Sequence, residues 1–323
     1  MTKAVQISST GGPEVMSMVD LPLSKPRPGE ALVRHHAVGL NYIDVYFRSG
    51  VYPVEALPTV LGMEGAGVVE AVGAGVDHVQ PGDRVAYAGR PIGAYCESRV
   101  LPAALLIKLP TSISFEIAAA MMLKGMTVQY LYRRTANLQK GHTILFHAAA
   151  GGVGLIAMQW AKLLGVTAIG TVGSDEKAEL ALAHGAEHVV NYNSEDFVAR
   201  VKEITNGRGV DVVFDSVGKT TWEGSLKCLR KYGLMVTFGN ASGNVPPFDL
   251  NQLNGNLFLT RPSISAYTAE RAELEASADD LIKQIAAGKI KIKIDQTYPL
   301  SEVVQAHADL EARKTTGCSV LIP

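Results

Sequence analysis

The chain has 323 residues, and at roughly 150 residues per domain that length points to about two domains. Thirty Lys and Arg stand against 31 Asp and Glu, a formal net charge of -1, which argues against a protein built to neutralise nucleic-acid phosphates. Charged residues make up 19% and hydrophobic ones 47%, the reverse of a disordered chain's bias, so a large core can be buried.

In chain order, Met1-Thr2-Lys3-Ala4-Val5-Gln6-Ile7 reads as a first strand, because it lacks the continuous apolar run and small-residue cleavage site of a signal peptide. Short β-branched runs such as Glu30-Ala31-Leu32-Val33-Arg34 and Ala66-Gly67-Val68-Val69-Glu70 continue to about residue 120, divided by turn clusters at residues 25–29, 72–75 and 80–83. They predict a compact antiparallel β domain. From about Leu123 to Thr260 the pattern alternates. Strands are predicted at Thr143–Phe146, Thr167–Val172, His188–Asn191, Val210–Phe214 and Gly233–Gly239, with helices at Leu155–Leu164, Asp175–His184, Glu195–Thr205 and Trp222–Leu229. That alternation implies right-handed crossovers and a doubly wound parallel sheet covered on both faces. Ala269–Gly288 reads as helix, and Lys289–Pro323 mixes short strands with one more helix that return to the first domain.

The most apolar stretch, Ile144 to Ala161, is broken by Gly151, Gly152 and Gly154 into a strand and a helix start, so no membrane span is expected. Cys96, Cys228 and Cys318 are odd in number and widely spaced. They suggest no disulfide framework, and a cytoplasmic address is expected.

The sharpest local signal is Ala149-x-Gly151-x-x-Gly154, directly after a strand and opening a helix. Glycines there let the backbone turn tightly and approach a pyrophosphate seated on the helix N-terminus. In this chain Ala149 stands where the first glycine of that fingerprint usually lies. A site for NAD places an acid ~20 residues past the glycines, on the ribose 2′-hydroxyl. That count reaches Ser174, in Gly173-Ser174-Asp175-Glu176-Lys177. A hydroxyl followed by a lysine suits a 2′-phosphate, so NADPH is the expected cofactor. The same residues also read as an N-cap with first-turn acids, and Asp175 would repel a phosphate unless it points away. His147, just before the glycines, reads as a packed or hydrogen-bonded histidine. His35 and His36, adjacent on a strand, are expected on opposite faces.

The stretch Leu61-Gly62-Met63-Glu64-Gly65-Ala66-Gly67 resembles the Gly-His-Glu motif of the medium-chain dehydrogenase/reductase superfamily, with Met63 in place of the metal-ligating histidine. A thioether is a poor substitute for imidazole on Zn²⁺. No cysteine lies in Leu40-Asn41-Tyr42-Ile43-Asp44, where the zinc enzymes carry one, and only Cys96 falls where a structural zinc lobe would need four. No metal is expected, and Glu64 reads as structural. Residues 41–53, Leu123-Lys124-Gly125-Met126-Thr127-Val128, residues 147–154, Asp215-Ser216-Val217-Gly218, Phe238-Gly239-Asn240-Ala241-Ser242 and Arg313-Lys314-Thr315-Thr316-Gly317 resemble, in collinear order, the zinc-free quinone oxidoreductases of the zeta-crystallin-like group.

The resemblance implies an α/β protein: a GroES-like antiparallel β domain, residues 1–123 and 265–323, interrupted by a Rossmann NADPH-binding domain, residues 124–264. It also implies a soluble homodimer paired across an edge strand near Asn256–Arg261, and an NADPH:quinone reductase working in a zinc-free interdomain cleft. Without zinc nothing lowers the pKa of a substrate alcohol, whereas a quinone is already electrophilic and mainly needs positioning against the nicotinamide. Asn41 is the candidate amide for the nicotinamide side or a substrate oxygen, and reads equally as a turn-capping asparagine. Tyr46 and Tyr52 offer flat faces and hydroxyl donors to a quinone, against a reading as core tyrosines. Arg261 closes the cleft or contacts the cofactor, or makes an interdomain salt bridge.

For the cofactor the resemblance implies Thr127 and Tyr130 toward the nicotinamide, with Gly152 and Val153 at the pyrophosphate, and Asn41 and Tyr46 are counted among the cofactor-binding residues as well. It sets Gly173, Ser174 and Lys177 at the 2′-phosphate and Tyr192 at the adenosine. Ser216, Val217, Phe238, Asn240, Ala241 and Ser242 fall at the carboxyl ends of later strands, where such sheets bind ligands. An NADPH-dependent enone or alkenal reductase is the nearest alternative. RNA binding and a catalytically silent dinucleotide sensor are alternatives of other classes.

Overall fold

The computed structural model describes residues 1–323. The chain divides into two compact units, one of Met1–Met126, Tyr267–Ala286 and Ile292–Pro323, the other of Thr127–Ala266 with Ala287–Lys291.

The first unit is mainly antiparallel β. It opens with β1 (Thr2–Ile7), β2 (Met16–Leu21), β3 (Glu30–Leu40), helix α1 (Tyr42–Ser49), β4 (Thr59–Val60), β5 (Glu64–Val72), β6 (Arg84–Ala88), β7 (Ser98–Pro102), β8 (Ile107–Lys108) and α2 (Phe115–Tyr130), the last running on into the second unit. Along β3 the side chains of Ala31, Val33 and His35 are buried while Arg34 between them is exposed, the period-2 pattern of a strand with one face in the core. The helix at 42–49 departs from the strand-like reading of this region. Its N-terminus is set by Asp44, whose carboxylate accepts the Asn41 N–H at 2.9 Å, and Gly50 in the left-handed region (φ 82°) closes it.

The second unit is a six-stranded, wholly parallel sheet. Its elements are β9 (Thr143–Phe146), α3 (Gly152–Leu164), β10 (Thr167–Val172), α4 (Asp175–Ala183), β11 (His188–Asn191), α5 (Phe197–Ile204), β12 (Val210–Asp215), α6 (Trp222–Cys228), β13 (Leu229–Thr237), β14 (Phe258–Thr260) and the short α7 (Ile264–Tyr267), whose last residue belongs to the first unit. The strand order is β11-β10-β9-β12-β13-β14, that of a doubly wound Rossmann fold, with the order of strand addition reversing between β9 and β12. Leu145, Ile169, Val190, Val213, Trp222 and Met235 form a core on one side of this sheet. Several predicted boundaries shift, among them the start of the helix predicted from Leu155, which begins at Gly152. The helix predicted from Glu195 starts at Phe197 because Asp196 caps it, accepting from Val198 N at 2.8 Å. The strand predicted from Gly233 begins at Leu229.

The chain then returns to the first unit with α8 (Arg271–Ala286), β15 (Ile294–Pro299), α9 (Val303–Glu311) and β16 (Cys318–Ile322). β16 pairs antiparallel with β3, completing a sheet of order β15-β16-β3-β5-β6-β8 with β7 also on β3; β2-β1-β4 form a separate sheet. A buried polar chain ties α9 to α1. Arg48 donates to His307 Nδ1 at 3.1 Å and to Glu311 at 2.8 Å, His307 Nε2 meets Tyr95 Oη at 3.2 Å, and Tyr95 donates to Asp44 at 2.9 Å. Elsewhere His35 lies between the Cys96 carbonyl (2.8 Å) and Tyr87 Oη (2.9 Å), while His36, on the other face, stacks on Phe115.

Burial, reinforced for His307 by Arg48, lowers the pKa of His35 to about 4 and of His307 to about 3. The unfolded chain takes up protons near pH 6.5 that these folded histidines refuse, so they withdraw stability as the pH falls from about 6.5 toward 4. Burial raises Asp44 to about 7, which acts the other way. The folded protein keeps a proton there between about pH 4 and 7 that the unfolded chain releases, so its contribution is lost as pH rises. With the buried histidines outweighing this one carboxyl, urea midpoints are expected to fall from pH 7 to pH 5. His307→Gln should shrink that fall and Asp44→Asn should deepen it; the opposite ranking would overturn the assignment.

Candidate active site

The turn after β9 has the geometry of a pyrophosphate cradle. Helix α3 begins at Gly152 with no side chain capping it, which leaves its first N–H groups for an anion. A Cβ at Gly154 would lie 2.4 Å from the Ala148 carbonyl oxygen, so only glycine lets the helix start this close to the turn. Ala149, at the position of the usual first glycine, is fully buried and its N–H bonds the Thr171 carbonyl at 3.0 Å. Its methyl occupies the space left by Gly170 of β10, where a Cβ would come within 2.6 Å of it. The missing glycine is thus compensated one strand away. His147 sits behind the turn, bonded to Thr171 Oγ1 and Ser225 Oγ, each at 2.9 Å, with its pKa lowered by burial. It is a packed histidine, as its sequence suggests.

At the end of β10, Ser174 is the N-cap of α4, its hydroxyl accepting from Lys177 N at 3.3 Å. It also bonds Glu176, holding that carboxyl below its usual range. Lys177 lies one turn into the helix. Tyr192, at the end of β11, covers Gly173: a Cβ there would sit 2.6 Å from the tyrosine hydroxyl. Gly173, Ser174, Lys177 and Tyr192 therefore share one corner, at the carboxyl ends of two adjacent parallel strands.

The loops after β12 and β13 are stitched together. Phe238 N bonds the Asp215 carbonyl (2.8 Å), Ala241 N the Ser216 carbonyl (3.1 Å) and Ser242 N the Val217 carbonyl (2.8 Å). Ser242 Oγ adds a second bond to Val217 O at 2.8 Å. Ser216, Val217, Phe238, Asn240, Ala241 and Ser242 thus form one rim. Arg261, just past β14, reaches toward it, with Nη1 3.5 Å from Thr237 Oγ1. With the Asn240 amide turned so that its nitrogen donates to the Gly239 carbonyl, its oxygen accepts from Arg261 Nη2 at 3.1 Å. Thr127 and Tyr130 are not at a strand end. They lie one turn apart on α2, Tyr130 buried.

In the first unit Asn41, Tyr46 and Tyr52 come together around α1. Tyr46 packs against Tyr52 with ring centroids 5.0 Å apart and against Tyr42 at 5.5 Å, and Tyr52 N bonds the Tyr46 carbonyl at 3.0 Å. Asn41 is buried, its Nδ2 donating to Glu64 Oε1 at 2.7 Å. Glu64 has no exposed surface. It also accepts from Lys124 Nζ at 3.0 Å and Leu123 N at 2.7 Å, and Lys124 donates to the Leu40 carbonyl at 3.2 Å. Burial pulls the Lys124 pKa down, but the Glu64 carboxylate outweighs it and the ammonium is favoured. Gly39 makes room for this carboxylate, since a Cβ there would fall 2.2 Å from Glu64 Oε1. Met63, where the resembling motif has its histidine, is buried.

The sequence marks Glu64 only as structural and gives Lys124 no site role. Their signal was an acid directly after Met63 and a lysine in a run of apolar helix, two charges in segments otherwise headed for the core. Removing one partner of a buried ion pair costs ~3–5 kcal/mol, because the other charge is left uncompensated. Lys124→Met should therefore lower stability by about that amount in denaturant titrations, and Glu64→Gln added to it should recover much of the loss. Equal stability of Lys124→Met and the parent would refute the pairing.

Two family models match the chain: "Alcohol dehydrogenase GroES-like domain" over residues 27–111 and "Zinc-binding dehydrogenase" over residues 152–284. The quinone oxidoreductase of Pseudomonas aeruginosa is 53% identical, with 100% of each chain covered. A crystal structure of the Escherichia coli quinone oxidoreductase complexed with NADPH superposes with a TM-score of 0.98 at 50% identity, again over 100% of both chains. A 2-haloacrylate reductase from Burkholderia is 41% identical, covering 100% of this chain and 99% of its own. The GroES-like β unit and the Rossmann sheet described above agree with these matches. The chain is a member of the quinone oxidoreductase family of the medium-chain dehydrogenase/reductase superfamily.

Proposed function

We propose that this chain is an NADPH:quinone reductase whose substrate site needs no metal. The observation that carries the reading is the pair Met63 and Glu64. The first offers a thioether where zinc relatives offer an imidazole, and the second is committed to Asn41, Lys124 and Leu123. A donor set of this kind is a poor one for Zn²⁺, which turns the site from alcohols toward acceptors that are electrophilic without a Lewis acid.

The residues fit NADPH. The uncapped start of α3 and the close approach at Gly154 suit a pyrophosphate held by the N–H groups of Gly152 and Val153. Ser174 and Lys177 would hold the 2′-phosphate and Tyr192 the adenosine, with Ser216, Val217 and Phe238 to Ser242 along the rim and Thr127 and Tyr130 toward the nicotinamide. When bound, the cofactor supplies the hydride. The chain's part is to bind and orient. Glu64 takes one of the two hydrogens on Asn41 Nδ2, which leaves the other for the nicotinamide side or a substrate oxygen. Tyr46 and Tyr52 would flank a flat acceptor, their hydroxyls donating to the oxyanion that develops on it. Arg261 would bind cofactor or substrate from beyond β14. We assign the first unit, Met1–Met126 with Tyr267–Ala286 and Ile292–Pro323, to the acceptor and the second, Thr127–Ala266 with Ala287–Lys291, to the cofactor. Reduction of an activated C=C bond is the second reading, favoured by the likeness to the 2-haloacrylate reductase.

No helix is long and apolar enough to cross a membrane. Three buried free thiols suit the reducing cytoplasm, to which we assign the protein. Strand β14 pairs on one side only and exposes Phe258. We assign it as the edge across which two copies pair.

NADPH oxidation at 340 nm is expected to run faster with 1,4-benzoquinone than with 2-hexenal, and NADPH should bind at least about tenfold tighter than NADH, since a retained 2′-phosphate contact of ~1.4 kcal/mol gives that factor. Preferential alkenal turnover would move the activity to the second reading. Lys177→Ala should weaken NADPH and leave NADH nearly unchanged; equal weakening of both would remove Lys177 from the phosphate. Sedimentation should show a dimer, with Phe258→Asp a monomer; an unchanged mass for that variant would remove β14 from the interface.

A further inference from the structure

Asp175 is the unexpected residue of the 2′-phosphate corner. It lies directly after Ser174, ~20 residues past Gly154, where an NAD-binding sheet carries the acid that holds the ribose 2′-hydroxyl. A free carboxylate there would repel a 2′-phosphate and accept a hydrogen bond from a 2′-hydroxyl instead. The carboxylate is not free. Its Oδ1 accepts from Asn191 Nδ2 at 2.8 Å. Asn191, the last residue of β11, is held at its other end too, since its Oδ1 accepts from Asn193 N at 3.2 Å. The amide therefore turns its donor side to Asp175. Asn193 Nδ2 in turn donates to the Gly173 carbonyl at 2.7 Å, and Tyr192 N to the Val172 carbonyl at 3.0 Å. Residues 191–193 thus fasten the end of β11 to the turn that carries Ser174.

We propose that Asn191 is a specificity-determining residue, a latch that holds the Asp175 carboxylate toward β11 and away from the 2′-phosphate, so that a corner with the acid of an NAD site prefers NADPH. The acid is retained because at the first turn of α4 it faces the positive end of the helix dipole. The inference rests on the assignment of Ser174 and Lys177 to the 2′-phosphate.

The test is equilibrium binding of NADPH and NADH, read by fluorescence without turnover, to the parent, Asn191→Leu, Asp175→Asn and the double variant. Asn191→Leu frees the carboxylate without adding charge, and should raise the Kd for NADPH about tenfold while leaving that for NADH unchanged or lower. Asp175→Asn alone should bind NADPH at least as tightly as the parent. The double variant should regain the parent's NADPH affinity, because no carboxylate is left to swing in. Asn191→Ala serves in the same role if leucine disturbs folding, as read by thermal melting. Unchanged NADPH binding in Asn191→Leu overturns the latch. So does a loss that the double variant keeps, which would mean that Asn191 acts only by supporting Tyr192. In both of those cases a parent preference for NADPH leaves the 2′-phosphate assignment standing. A parent with equal affinity for the two nucleotides overturns that assignment and the latch with it.

Discussion

The first unit is organised around one buried carboxylate. Glu64 begins β5 with no exposed surface, and three donors converge on it: the Asn41 amide at the start of α1, the Lys124 ammonium and the Leu123 backbone N–H, both on α2. A carboxylate in that position is tolerable only when ion-paired and fully hydrogen-bonded. Its partners are therefore forced to their places. Lys124 also bonds the Leu40 carbonyl at the end of β3, so the arrangement joins two strands and two helices at one point. Gly39 is required beside it, because any larger residue would collide with the carboxylate or with the Ala119 carbonyl.

The same point orients Asn41. An asparagine at a helix N-terminus is free to choose among donors and acceptors, but here Asp44 holds its backbone N–H and Glu64 its side-chain nitrogen. From Asp44 the buried chain continues through Tyr95 and His307 to Arg48 and Glu311. This chain ties the C-terminal helix α9 to the N-terminal β unit, to which β16 is joined by its pairing with β3. Groups so buried cannot hold their ordinary proton affinities, and the histidines and Asp44 are displaced in opposite directions.

The Rossmann unit follows a different logic, in which backbone clearance sets the positions. Gly154 allows α3 to start against the turn, Gly170 accepts the methyl of Ala149, and Gly173 accepts Tyr192. The rim is then assembled from consecutive strand ends, whose loops bond one another rather than a rigid side-chain core. Because all six strands are parallel and the order reverses at β9 and β12, every one of those ends opens on the same edge.

The alternation of strands and helices from residue 143 onward was legible because buried parallel strands are short β-branched runs and their crossover helices are amphipathic; Thr143–Phe146, Thr167–Val172 and His188–Asn191 stand where the pattern put them. The Gly-rich turn was legible for the same local reason. Helix α1 was not, since its start depends on a hydrogen bond to Asp44 rather than on a hydrophobic period. Nor was the compensation of Ala149 by Gly170, which lies on another strand. The sequence by itself determined the fold class, because that depends on local periodicity and turn chemistry, and its collinear motifs carried the resemblance to the family. Only the tertiary structure decided that Glu64 faces Lys124 and Asn41, and that Asp175 faces Asn191. Both depend on which charges and amides meet across the fold, and burial and hydrogen-bond geometry set that, not spacing along the chain.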